Sequence, residues 1–180
     1  MPEPKIPSSE ILDRKLDRYP PFGFDCGRNQ QNAFLYDRAW PDQAESLSTT
    51  YLFYVGDALA AYATLFMDSL PLSRRERGPI PYQNVSSLKL GQMAVDRRFQ
   101  GRGVGQYALG FAVELAEEVS DRVACRYVTL DAEPDLVEWY AIHGFTLNRL
   151  RQRERRETAL RHQRDPERIP VSMRLDLRAL

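Results

Sequence analysis

Hydrophobic and polar positions alternate in two regimes along the 180-residue chain. Up to about residue 46 the apolar runs are short. Ser8 or Ser9 is placed to cap a brief helix carrying Ile11, Leu12 and Leu16 on one face. The prolines and glycines of YPPFGFDCG then stop it, since neither residue type continues a helix. A second helix is predicted over residues 29–39, with Ala33 and Phe34 on its faces, and WPDQAES reads as a further helical turn. From residue 49 onward the pattern is that of a sheet protein. TTYLFYV and ALAAYATLFMDSL are β-rich runs joined by Gly56-Asp57, a hairpin signal. After a polar, proline-containing connection, VSSLKLGQMAV forms a third strand. Val104, Ala108, Phe111, Leu115 and Val119 recur at helical spacing, so residues 104–120 are a helix. RVACRYVTL is the next strand, and Pro134 opens a helix that runs to His143 and stops at Gly144. FTLNRL and PVSMRLDL alternate as a final antiparallel pair, separated by an arginine-rich insert over residues 149–168. The order predicts an α/β (α+β) fold, a mixed central sheet with helices on both faces, in a single domain spanning 1–180 with an irregular arm over 1–8.

Composition narrows the function classes. With 43% hydrophobic and 28% charged residues the chain is globular, and a formal net charge of zero gives no global field for nucleic acid or membrane. Charge is nonetheless segregated, acidic from Glu114 to Glu138 and basic from Arg149 to Arg168. The N-terminus lacks an apolar signal-peptide core, and no apolar run approaches the roughly 20 residues of a membrane span, so a cytoplasmic location is expected. Cys26 and Cys125 lie far apart, which favours reduced thiols, and with His143 and His162 they match no familiar zinc spacing; no metal is expected.

The stretch DRRFQGRGVGQYALG sets glycines at 101, 103 and 105 just ahead of the predicted helix. Three readings compete. A dinucleotide fingerprint needs its glycines directly after a strand, yet five residues follow Val95 and position 106 is Gln. A P-loop needs Lys then Ser or Thr, which are absent. Amides converging at a helix N-terminus make a pyrophosphate cradle, with Arg97, Arg98 and Arg102 near in sequence; a plain glycine turn with solvated arginines stays open.

LGQMAVDRRFQGRGVG, with Gln100-x-x-Gly103-x-Gly105, resembles the acyl-CoA loop of the GNAT acetyltransferases. EWYAIHGF resembles that family's late helix, with Tyr140 followed by Gly144-Phe145, and FGFDCG resembles the F-x-C-G start of the branch that includes TacT-like toxins, which acetylate aminoacyl-tRNA. The resemblance implies acetyl-CoA as co-substrate and the GNAT acyl-CoA N-acyltransferase fold. It implies pantetheine pairing with the backbone of Met93, Ala94 and Val95, and pyrophosphate held by the segment Arg98, Phe99, Gln100, Gly101, Arg102, Gly103, Val104 and Gly105. Tyr140 is then the general acid for the departing thiolate, a phenol being protonated at neutral pH. The glutamate base of many relatives has no counterpart on the strand before the loop, which offers Ser86, Ser87, Lys89 and Gln92. Such a site suits an α-amine, partly neutral at pH 7, better than a lysine-like amine.

Asp131 and Glu133 are read as caps of the following helix, His143 as a helix-end residue, and Cys26 as a packed thiol. The acceptor is an amine of open identity. Aminoacyl-tRNA is the alternative, and an acyl-CoA-binding module without turnover a further one. Arg74, Arg75 and Arg77 and the insert could face RNA, but the insert's Glu154, Glu157, Asp165 and Glu167 suit a solvated, ion-paired helix equally well. The resemblance also allows a homodimer through the last strands.

Overall fold

The computed structural model describes residues 4–180; the first three residues of the expected arm lie outside them. In chain order the elements are β1 (Ile11–Lys15), α1 (Asn29–Ala33), a π-helical turn (Phe34–Arg38), α2 (Ala39–Ala44), β2 (Thr49–Val55), β3 (Ala58–Pro71), α3 (Arg74–Arg77) and β4 (Asn84–Val95). There follow α4 (Val104–Arg122), β5 (Tyr127–Ala132), α5 (Val137–Ile142), β6 (Thr146–Leu147), α6 (Arg149–Arg161) and β7 (Val171–Asp176), with short 3-10 turns between. The strands form one mixed seven-stranded sheet in the order β1-β2-β3-β4-β5-β7-β6. The chain divides into two compact units, residues 1–66 with 90–115, and residues 67–89 with 116–180.

In the first unit the expected opening helix is instead a strand. Ser8–Glu10 makes one 3-10 turn, and β1 pairs antiparallel with β2 from Ile11↔Val55 to Lys15↔Tyr51. Five residues are too few to sustain a helix alone, and the free edge of β2 offers them a ladder. The hairpin of β2 and β3 turns at Gly56, φ +57, as read from Gly56-Asp57. Leu59 to Leu65 are all buried, and Leu16, Phe24, Cys26, Leu35, Ala39, Leu52 and Tyr62 close a core beneath α1 and α2. Those two helices and the π-turn are continuous, so the predicted helix extends to Ala44. Helix α4 buries Val104, Ala108, Leu109, Ala112 and Ala116, leaving Phe111 and Leu115 half-buried. The buried stripe is thus the small-residue face, one step round from the face predicted by the larger residues.

In the second unit β7 lies antiparallel to both β5 and β6, with Leu130↔Met173 and Thr146↔Arg174 in register. β5 starts at Tyr127, five residues later than the apolar run suggested. Gly144, φ +87, ends the helical segment after α5 as expected. The polar connection before β4 hides α3, a single turn with a capping box. Ser73 Oγ accepts from the Glu76 amide, and the Glu76 carboxylate accepts from the Ser73 amide.

Candidate functional site

The glycine loop is held from behind by the segment that follows β1. The Asp96 carboxylate, 2% exposed, accepts from the Asp25 amide (2.9 Å), the Arg98 amide (2.9 Å) and Arg98 Nε (2.8 Å). Burial alone would raise its pKa, but the Arg98 guanidinium and these amides outweigh that and hold it low. Gln100 Nε2 donates to the Cys26 carbonyl at 3.0 Å and the Val95 carbonyl at 2.9 Å, pinning the loop to the end of β4. Asp25 in turn accepts from the Gly27 amide and from Asn32 Nδ2. The F-x-C-G segment is therefore a clamp on the loop. Cys26 is a free, buried thiol that donates to Asn32 Oδ1, and burial pushes its pKa up, which leaves it a packed thiol rather than a nucleophile.

Gly101 and Gly103 sit at φ +74 and +90, conformations that disfavour any side chain. The Gly103 carbonyl accepts from the Tyr107 amide at 3.0 Å, which makes Gly103 the cap of α4 and leaves the first amides of that helix without intrahelical partners. Around Gly101 a Cβ would meet nothing within 4 Å, so the space beside that residue is open. Bare amides at a 19-residue helix N-terminus fit a pyrophosphate. When bound, acetyl-CoA would supply the activated acyl group. The arginines are less available than the sequence suggests. Arg98 is committed to Asp96, Arg97 pairs with Asp25 at 3.4 Å, and Arg102 Nε donates to the Pro4 carbonyl. Phe99 lies under the guanidinium groups of both Arg98 and Arg102, at 5.5 and 5.8 Å. Met93 and Val95 are half-buried on β4, with Ala94 turned into the core.

In the second unit Tyr140 is 6% exposed. Its ring packs edge-on against Trp139 and Phe145, with centroids 4.9 and 5.8 Å apart. Its carbonyl caps the turn by accepting from the His143 and Phe145 amides. The phenol has no hydrogen-bond partner among the described residues, and burial pushes its pKa up to about 12. Its proton is thus firmly held and directed at no protein acceptor. His143 Nδ1 lies 2.7 Å from the Trp139 carbonyl, so that nitrogen carries the proton and the imidazole serves the helix end.

Asp131 does not cap a helix, contrary to the sequence reading. Its Oδ2 accepts from Lys89 Nζ and from Arg155 Nη2, each at 2.7 Å. Lys89 is 7% exposed. Burial pushes the Asp131 pKa up, but the two cations outweigh it and hold the carboxyl below its usual range. Burial lowers the pKa of Lys89, with Asp131 opposing. A cavity of about 440 Å³ opens over this group, lined by Arg155, Thr158, Ala159, His162 and Ile169. Glu133 begins the next turn without a side-chain cap.

Residues 149–161 of the arginine-rich insert form α6, and part of that helix is docked. The Glu76 carboxylate accepts from the Arg149 and Leu150 amides, capping the helix N-terminus, and from Arg174 at 3.0 Å. Arg151 reaches Asp68 (2.8 Å) and the Ser69 carbonyl, Arg155 reaches Asp131, and Arg156 pairs with Glu167. The exposed Arg74, Arg75, Arg149, Arg161 and Arg164 have no side-chain partner among the described residues. Sequence reasoning missed Glu76, Asp131 and Asp96 as organisers. The capping spacing Ser73-x-x-Glu76 was the one local signal available.

No helix of the described residues is long and apolar enough to cross a membrane, and none of their acidic, histidine or cysteine groups clusters as a metal site. No curated protein sequence matches the chain significantly. Among solved structures, a Tyr-to-Phe variant of KacT superposes with a TM-score of 0.75 at 19% identity over 94% of this chain and 96% of that one. A Tyr-to-Phe variant of the toxin AtaT, bound to the C-terminus of the antitoxin AtaR and acetyl-CoA, gives 0.71 at 19% identity over 94% and 95%. AtaT complexed with acetyl-methionyl-tRNAfMet gives 0.69 at 23% identity over 76% and 86%. These likenesses share the fold. The model of the acetyltransferase (GNAT) family matches residues 12–145, so the chain belongs to that family and is an acetyl-CoA-dependent N-acetyltransferase.

Proposed function

We propose that the protein acetylates the α-amine of an aminoacyl ester, aminoacyl-tRNA being the acceptor class, with Tyr140 as general acid. The observation that carries this reading is the state of Asp131. A base must have a free carboxylate of ordinary or raised pKa, and Asp131 is bound by Lys89 and Arg155 and held low. The strand before the loop carries no carboxylate. An acceptor for this site must therefore arrive largely neutral. A free α-amine has a reference pKa of about 7.7–8.0 against about 10.4 for lysine, and an adjacent ester lowers it further.

The sequence of events is short. The Arg98 and Phe99 amides already serve Asp96, so the loop holds the pyrophosphate through its amides beyond Phe99, up to Gly105, and the backbone of Met93, Ala94 and Val95 holds the pantetheine. The neutral amine attacks the thioester carbon and the C–S bond breaks. The CoA thiolate takes the phenolic proton of Tyr140, the amine's extra proton passes to water, and water returns a proton to the Tyr140 phenolate. The RNA reading draws support from the unpaired Arg74, Arg75, Arg149, Arg161 and Arg164, each able to neutralise a phosphate. The reading also draws support from AtaT, a structural neighbour solved in complex with acetyl-methionyl-tRNAfMet.

The test compares three acceptors at pH 7: a charged tRNA, a peptide with a free α-amine, and a lysine blocked at its α-amine. The charged tRNA should be preferred, and its KM should rise steeply with salt. Preference for the blocked lysine would sink the proposal.

A further inference from the structure

Ile6, although 8% exposed, belongs to no helix or strand. Its amide donates to the Arg102 carbonyl at 2.9 Å, and Arg102 Nε donates back to the Pro4 carbonyl at 3.4 Å. The Ile6 carbonyl stands 4.0 Å from where a Cβ on Gly103 would be. Residues 4–6 thus lie against the glycine loop with contacts in both directions. The segment is stiff before it docks. Pro4 and Pro7 fix their own φ angles, and Pro7 confines Ile6 to extended backbone.

We infer that Pro4–Ile6 is a strap that positions the phosphate-binding loop, with Ile6 as its positioning residue. The inference rests on the acyl-CoA reading of that loop. The geometry of a trans peptide carries it. The C=O of Arg102 and the N–H of Gly103 belong to one plane and point in opposite directions. Holding the carbonyl on Ile6 therefore turns the Gly103 amide away from the strap. Two glycines at positive φ flank Arg102. They would otherwise let this peptide rotate between several allowed states. The strap selects one rotation, so the amide is aimed before the ligand arrives. It also explains where Arg102 points: toward Pro4 and Phe99.

The test measures binding of acetyl-CoA and of S-acetyl-pantetheine, which lacks the pyrophosphate, to the full chain by calorimetry. Ile6→Pro removes the donor, Ile6→Val keeps both donor and packing, and Pro4→Gly loosens the strap without deleting a contact. A hydrogen bond to a charged group is worth about 10- to 150-fold in affinity. Ile6→Pro should weaken acetyl-CoA by roughly that factor and leave acetyl-pantetheine unchanged. Ile6→Val should match the wild type, and Pro4→Gly should give a smaller loss confined to acetyl-CoA. If Ile6→Pro does not fold, Pro4→Gly decides alone. Equal losses for both thioesters, no loss, or tighter acetyl-CoA binding on loosening the strap would each overturn the inference. A wild-type chain that fails to bind acetyl-CoA would overturn the cofactor reading itself, a result separable from all of these.

Discussion

Replacing Asp131 by asparagine keeps the volume of the side chain and removes the charge that answers Lys89. The Lys89 side chain is 8% exposed and the acceptor of its ammonium is 2.7 Å away. Breaking a buried pair from one side costs about 3–5 kcal/mol. Lys89 has an alternative, which is to give up its proton. Neutralising a lysine of reference pKa about 10.4 costs about 4.6 kcal/mol at pH 7 and about 1.9 kcal/mol at pH 9. That route sets the ceiling, and the partly exposed Arg155 adds no more than about 1 kcal/mol. In the variant the folded pKa of Lys89 falls further below its unfolded value. Between the two values the unfolded chain binds more protons, so stability rises with pH across that window. Urea melts should therefore show Asp131→Asn losing about 3–5 kcal/mol at pH 7 and clearly less at pH 9. The double variant Lys89→Met with Asp131→Asn should recover to within about 1 kcal/mol of wild type, because a matched apolar replacement removes the orphaned charge. A loss below about 1 kcal/mol at pH 7, or one equal at both pH values, would refute the reasoning.

Tyr140→Phe should lower kcat by about 10²- to 10⁴-fold with unchanged affinity for acetyl-CoA and little change in Tm, since the phenol bonds to no described residue. The wild-type rate should rise as the acceptor amine deprotonates and hold its plateau through pH 10, because the Tyr140 pKa is pushed up to about 12. Glu76→Gln should destabilise by about 2–3 kcal/mol in thermal melts, as one carboxylate serves the Arg149 and Leu150 amides and Arg174. Burial alone would raise the Glu76 pKa, but Ser73 and the Arg149 amide outweigh it. That contribution is present above the unfolded pKa and is lost as pH falls through the depressed folded value. A Cβ on Gly91 would lie 2.5 Å from Phe66 Cε1. Gly91→Ala should then cost about 1–3 kcal/mol, and Phe66→Leu should restore part of it in a double-mutant cycle.

What the sequence made legible was local. The hairpin at Gly56, the loop glycines at 101 and 103 and the helix stop at Gly144 each sit at a positive φ that the residue type announces. Helix α4 showed in its spacing, although its buried face is the alanine stripe rather than the Phe111–Leu115 face. The failures share a cause, which is partners distant in sequence. Residues 11–15 form a strand because β2 lies beside them, and nothing within the segment says so. The arginines of α6 read as a solvated face, yet Arg151 and Arg155 answer Asp68 and Asp131, 83 and 24 residues away. Asp131 looked like a cap because the following Pro134 opens a turn. Its real partner is Lys89, 42 residues earlier. The prolines at 4 and 7 announced an irregular arm, but not that Ile6 would dock on Arg102.

The most direct measurement is transfer of label from radioactive acetyl-CoA to charged tRNA, comparing wild type with Tyr140→Phe and digesting the products with ribonuclease and mild alkali. Transfer to an aminoacyl α-amine predicts label that both treatments release from the RNA, and its near loss in Tyr140→Phe. Label that survives both treatments in protein or a small amine, or that forms equally well with Tyr140→Phe, would contradict it.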